Sequence, residues 1–193
     1  EVVASDIVVS NSKGVHAITI AEHTLALMLQ FSRRLIPCLD HQRQGVWRRT
    51  GIWQASPSFD ELYGKTLCVL GIGTIGVEIA RRARAFGMNV IGIRRNVDQA
   101  VAEVDRLYPP QLLDEVLPQV DYLVVAAPGT DETKNRISGP QFERMKRSAF
   151  LVNIARGEIV DQDALVHALN NGQIAGAALD VFVPDPLPDA HPL

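Results

Sequence analysis

From residue 64 onward the chain alternates short, uninterrupted apolar runs with helical segments, and this alternation constrains its fold more than any other feature. Residues 67–70 form one such run, followed by a helical stretch with Ile75, Ile79, Ala80, Ala83 and Phe86 on one face. The pattern continues with runs at 90–93, 122–127, 150–154 and 174–179, and with helices predicted at 112–117, 140–146 and 162–169, the last ended by Asn171-Gly172. A strand with one wet face alternates apolar and polar residues, whereas a strand apolar throughout must be covered on both sides. The pattern therefore predicts an α/β, doubly wound parallel sheet. Five strands are counted, one short of the usual six, so the last strand is expected to lie beyond the end of the chain.

The run at 67–70 leads directly into Gly71-Ile72-Gly73-Thr74-Ile75-Gly76. Glycines at this spacing also occur in ordinary turns, but their position after a strand and before a helix points to a dinucleotide. Gly71 would allow the tight turn, Gly73 the close approach of a pyrophosphate, and Gly76 the packing of helix on strand. The amides opening the helix would then face the diphosphate. About 20 residues on, where an acid would bind the ribose 2′-hydroxyl of NAD, stand Arg94 and Arg95. A guanidinium matches a 2′-phosphate in charge and in its forked donors, so NADP is favoured over NAD. The alternative is that both arginines are solvated strand ends and NAD binds without the acid.

Before this region, residues 7–9 read as a short strand closed by a turn at 10–14. Residues 16–45 read as one long helix, kinked at Pro37, with apolar side chains over most of its circumference. Such a helix needs a cover, which predicts a second lobe or a homodimer through residues 16–45. Residues 45–63, with Trp47, Gly51, Trp53, Pro57 and Phe59, read as a packed connecting loop. The 193 residues are 47% hydrophobic and 21% charged with a net charge of −3, which excludes a disordered chain and argues against a nucleic-acid surface. No apolar stretch suits a membrane span and no leader is visible, so a cytoplasmic location is expected. Cys38 and Cys68 have no metal-like spacing and read as buried free thiols, with no metal expected.

Several segments are similar to the D-isomer-specific 2-hydroxyacid dehydrogenases, a family that includes D-3-phosphoglycerate dehydrogenase and glyoxylate/hydroxypyruvate reductase. They are AEHTLALML at 21–29, GKTLCVLGIGTIG at 64–76, FGMNVIG at 86–92, LVNIARGEIVD at 151–161, DALVHALNNGQIAGAALDVF at 163–182 and D-P-L-P at 185–188. The resemblance implies an NAD(P)-binding Rossmann domain over residues 16–193, truncated at its C-terminus. It also implies a flavodoxin-like substrate lobe, of which residues 1–15 would be a remnant. The implied reaction moves a hydride between the nicotinamide and a small 2-keto or D-2-hydroxy acid.

The implied site follows residue by residue. Arg156 would bind the substrate carboxylate or carbonyl oxygen and stabilise charge developing there. Asp185 stands where the family usually has Glu, so it would be the acid that orients the proton-donating histidine; the alternative is an ordinary turn residue of a Pro-rich loop. Asp180 would hold the nicotinamide carboxamide, Ala126 and Pro128 the adenine side, and Thr74, Ile75 and Ile154 would join the glycines around the cofactor. The family histidine follows a Pro after the sixth strand; His191 precedes Pro192 and reads as too early, and His23 is expected near the site. The 193 residues alone are thus expected to bind dinucleotide without turnover. A different class of function, a non-catalytic binding module in which the dinucleotide is sensed and read by a partner, uses the same fold.

Overall fold

The computed structural model describes residue 12, residues 14–47 and residues 59–193. The strand expected at 7–9 and the margin of a second lobe expected at 1–15 fall outside the described residues except for 12, 14 and 15, as do Gly51, Trp53 and Pro57 of the connecting loop.

Among the described residues, six strands form one sheet: β1 Thr66–Leu70, β2 Asn89–Ile93, β3 Arg106–Tyr108, β4 Tyr122–Val125, β5 Phe150–Asn153 and β6 Gly176–Leu179. Their order is β3-β2-β1-β4-β5-β6, and every pairing is parallel. This is the doubly wound order of a dinucleotide-binding sheet. It also corrects the strand count. The strand left out is β3, only three residues long at the sheet edge and opening on exposed Arg106, so it has no apolar run to reveal it. The sixth strand is therefore β6, inside the chain.

Side-chain alternation along the strands divides the core into two layers. Cys68 and Leu70 of β1, Ile91 and Ile93 of β2, Leu123 and Val125 of β4 and Leu151 of β5 face one layer. Leu67 and Val69, Val90, Tyr122 and Val124, and Phe150 and Val152 face the other. The first layer is covered by α4 Leu113–Val116, α5 Gly139–Arg144 and α6 Gln162–Asn170. The second is covered by α1 Ala17–Ser32 and α3 Thr74–Ala85. Burying both faces is what makes the strands apolar throughout, at roughly 1.5–3 kcal/mol for each large aliphatic side chain removed from water.

The long helix expected at 16–45 is instead two, α1 and α2 Leu35–Arg43, separated at Arg33-Arg34, where Arg34 takes φ 53°. Pro37 is the physical reason, although the break lies one turn before it. Its ring would clash with the carbonyl of residue 33 and it has no N–H to offer that carbonyl, so the chain must leave the helix upstream. Placed in the first turn of α2, the missing N–H costs nothing. On α1, Ala21, Leu25 and Met28 are buried, and Phe31 stacks on Phe150 with ring centroids 4.0 Å apart. Ile18 remains 56% exposed, and Leu35, Ile36 and Leu39 of α2 are 45%, 52% and 48% exposed, which leaves an apolar face uncovered.

Candidate dinucleotide and substrate site

The strand order reverses between β1 and β4, and ligands of open parallel sheets bind at the carboxyl ends of the strands at such a point. There the chain packs without room for side chains. Gly71 has φ +107°, and a Cβ on it would lie 2.5 Å from the Ala127 nitrogen and 2.7 Å from the Ala126 carbonyl oxygen. A Cβ on Gly76 would stand inside contact distance of the Gly71 carbonyl oxygen. Gly73 differs from both: nothing lies within 4 Å of its Cβ position. Its surroundings are open on the side where a diphosphate would arrive, and it is the N-cap of α3 with extended backbone. The first intrahelical bond of α3 runs from the Val77 amide to the Gly73 carbonyl, so the amides of Thr74, Ile75 and Gly76 precede it and are free for an anion. No acidic residue occupies that turn. These features fit a dinucleotide diphosphate, with Gly73 and Thr74 exposed at the rim.

Arg94 and Arg95 lie at the end of β2, as the spacing predicts. The Arg94 guanidinium donates to the Gln99 carbonyl, while its Nε is buried without a partner. Arg95 is exposed and makes no ion pair among the described residues. Across the crevice, Ala126 is half-buried and Pro128 exposed, the latter accepting a hydrogen bond from Thr133 Oγ1 at 2.8 Å.

Arg156 follows β5 on a turn built by Asn153. The buried Asn153 amide donates to the Arg156 carbonyl at 2.9 Å and accepts from the Ala155 amide at 3.1 Å. Beside it, Ile154 is 8% exposed and pinned to β4 by a bond from its amide to the Val125 carbonyl. The Arg156 guanidinium is exposed, donates to the Ala155 carbonyl at 2.7 Å and has no carboxylate partner among the described residues. At the end of β6, Asp180 is exposed, and its amide bonds the Asn153 carbonyl at 2.9 Å. Arg156 and Asp180 are thus carried on neighbouring strand ends.

Asp185 lies farther along the loop after β6, exposed, with no ion pair to Arg156 or to any other described residue. Its approach is nevertheless fixed. A Cβ on Gly157 would collide with the Phe182 carbonyl group, so only glycine lets the loop pass this close to Arg156. Gln162, opening α6, holds the next residue by both of its groups: its amide donates to the Val183 carbonyl at 2.5 Å and accepts from the Val183 amide at 2.8 Å. His191 lies after the sixth strand once β3 is counted, and what still sets it apart from the family histidine is that it precedes Pro192 instead of following a Pro. In the structure its Nδ1 accepts from the Leu193 amide at 3.2 Å, within its own turn.

Two contacts that fix these turns have no motif of their own in the sequence. Asn153 was visible only as part of a longer string and Gln162 as a helix start. His23, expected near the site, faces Asp180 with Nε2 3.7 Å from Oδ1. Among the described residues no group of three or more His, Cys, Asp and Glu could hold a metal ion, and no helix is long and apolar enough to cross a membrane.

Comparison with known proteins agrees with this geometry. The family model "D-isomer specific 2-hydroxyacid dehydrogenase, NAD binding domain" matches residues 25–193. A glyoxylate reductase of Korarchaeum cryptofilum is 40% identical over 190 residues, 97% of this chain and 56% of that protein. A glyoxylate reductase of Pyrococcus furiosus is 42% identical over 183 residues, 93% of this chain and 54% of that protein. The crystal structure of NAD-dependent formate dehydrogenase from Staphylococcus aureus in complex with NAD superposes with a TM-score of 0.83 at 31% identity, covering 93% of this chain and 52% of that one. The chain spans about half the length of the relatives it matches. With a six-stranded dinucleotide sheet, a glycine loop at its switch point and a family match over most of its length, the chain belongs to the D-isomer-specific 2-hydroxyacid dehydrogenases and constitutes their NAD-binding domain.

Proposed function

We propose that this chain is the cofactor half of a cytoplasmic oxidoreductase that moves a hydride between NADP(H) and a small 2-keto or D-2-hydroxy acid, glyoxylate being the first candidate. The observation that carries this reading is the unpaired guanidinium of Arg156, held on a stapled turn at the sheet's carboxyl edge beside Asp180. What sets Arg156 apart is its place, on a turn that Asn153 staples at the end of β5, next to Asp180 at the end of β6. At the carboxyl edge of the sheet an anionic substrate and a developing alkoxide would need such a group. The nicotinamide, when bound, supplies or takes up the hydride. The chain's own residues do the rest: Gly73, Thr74, Ile75 and Gly76 receive the diphosphate, Ala126, Pro128 and Ile154 line the bound dinucleotide, and Asp180 accepts from the carboxamide. Asp185 carries the acid for a histidine partner.

Preference for NADP rests on Arg94 and Arg95 in place of an acid, and on the partnerless Nε of Arg94. Titration with NADPH and NADH tests it: NADPH is expected to bind more tightly, and Arg95→Ala should cost NADPH roughly tenfold while leaving NADH unchanged. Equal affinities would remove the claim. A homodimer through residues 16–45 is part of the same reading, supported by the exposed Leu35, Ile36 and Leu39. The free cysteines Cys38 and Cys68 suit a reducing compartment. Catalysis itself is tested in the full-length protein with a panel of 2-keto acids: Arg156→Ala should abolish turnover yet leave dinucleotide affinity within about twofold.

A further inference from the structure

The Asp180 carboxylate is oddly unsupported for a group that must meet a ligand in one orientation. Its backbone is fixed at the end of β6, but among the described residues its oxygens accept no hydrogen bond, and its one ion-pair contact is with His23, Nε2 lying 3.7 Å from Oδ1. His23 comes from a different layer of the fold, on a turn of α1 that is itself immobilised. Thr24 is fully buried, with its hydroxyl donating to the Ile20 carbonyl at 2.8 Å. Ala21 and Leu25 sit in the core. Glu22 reaches Arg82 of α3 at 3.6 Å. A packed helix therefore presents the imidazole to the end of β6 from a fixed platform.

Stability does not account for the pair. The side chains of His23 and Asp180 are 47% and 56% exposed, and a polar contact so solvated contributes almost nothing to folding. The contact does place one carboxylate oxygen on the imidazole side and the other away from it. A nicotinamide settling on this edge would also exclude water from the pair and strengthen it.

We propose that His23 is a positioning residue that holds the Asp180 carboxylate in the orientation that accepts the nicotinamide carboxamide. The proposal rests on the reading of Asp180 given above, and its test separates the two. The purified chain is titrated with its tighter-binding dinucleotide, NADPH or NADH, and with the matching ADP-ribose or 2′-phospho-ADP-ribose, which has the same diphosphate and adenosine but no nicotinamide. His23→Ala is expected to weaken the dinucleotide by roughly fivefold and leave the nicotinamide-free ligand unchanged. His23→Gln, which keeps a donor, should restore most of the loss, and unchanged ADP-ribose binding shows that each variant is folded. If Asp180→Ala lowers the dinucleotide-to-ADP-ribose affinity ratio and His23→Ala does not, the role of His23 is overturned and that of Asp180 stands. If neither variant moves the ratio, the Asp180 reading fails and this one with it. An equal loss for both ligands would also overturn it, since His23 would then act on the fold or on the diphosphate.

Discussion

A methyl group should have opposite consequences at two neighbouring glycines. At Gly76 it would meet the Gly71 carbonyl oxygen, a backbone atom that cannot turn away, so Gly76→Ala is expected to destabilise the fold by about 1–3 kcal/mol or more. At Gly73 the methyl meets nothing and the backbone is extended with φ −102°, so Gly73→Ala should unfold at the same urea concentration as the parent. Its dinucleotide affinity should nevertheless fall by roughly tenfold or more, because the methyl stands where the diphosphate comes. Urea midpoints paired with ligand titrations check both, and a Gly73→Ala variant that binds normally would move the diphosphate elsewhere. Cys68 supports a separate expectation. Burial pushes its thiol up to about 12 from an ordinary 9.0, so the unfolded chain loses this proton first as pH rises. The contribution is whole below about pH 9 and declines toward about pH 12, by about 1.4 kcal/mol per pH unit. Tyr122, raised by burial and then by Asp60 and Asp121, adds a similar loss only above its ordinary 10.0. Between pH 9 and 10 Cys68 titrates ahead of Tyr122, and urea midpoints across that interval should fall less steeply in Cys68→Ala.

Elements were legible in the sequence in proportion to how local their cause is. Strands β1, β2, β4 and β5 are apolar because both faces are covered, and that pattern is written into consecutive residues. The glycine loop was legible for the same reason. Strand β3 was not, because three residues at a sheet edge take their conformation from the ladder with β2 and not from their own side chains. The break between α1 and α2 was anticipated at the right proline and placed one turn late, since the ring's effect is on the carbonyl four residues earlier. At the site, Arg156 was legible through its neighbours in the chain. The contacts that aim the other groups were not, because the partners come from different elements: Gln162 meets Val183 across 21 positions. That clamp should be separable from the helix it opens. Asp161 caps α6 by accepting from the Ala164 amide at 3.0 Å, and Gln162→Ala leaves this cap intact. The variant is expected to melt like the parent within about 0.5 kcal/mol. Hydrogen exchange at the Val183 amide should speed up by roughly tenfold, and an unchanged rate would show that Gly157 and Phe182 hold the loop unaided.

As a whole, the molecule pairs a six-stranded dinucleotide sheet with an uncovered apolar face on α2, and the two lead to one experiment. The six strands follow the order of such a sheet, and at the crevice between β1 and β4 Gly71 packs against Ala126 and Ala127. Dinucleotide binding should therefore be a property of these 193 residues, and ligand at 100 times its Kd should stabilise them by about 2.7 kcal/mol through mass action. Reduction of a keto acid needs more, namely a proton for the oxygen that receives the hydride's charge. Of the described histidines, His16 precedes α1, His41 lies in α2 and His167 is exposed on α6. His23 faces Asp180 and His191 is bound into its own turn, so none is paired with Asp185. The chain is accordingly expected to show a raised melting temperature with NADPH and no detectable loss of NADPH absorbance with glyoxylate. Melting curves with and without cofactor and a spectrophotometric assay on the same preparation measure both. Turnover at a measurable rate would place the proton donor within these residues; His191, six positions beyond Asp185, would then be the side chain to replace first, with His191→Asn expected to remove the activity.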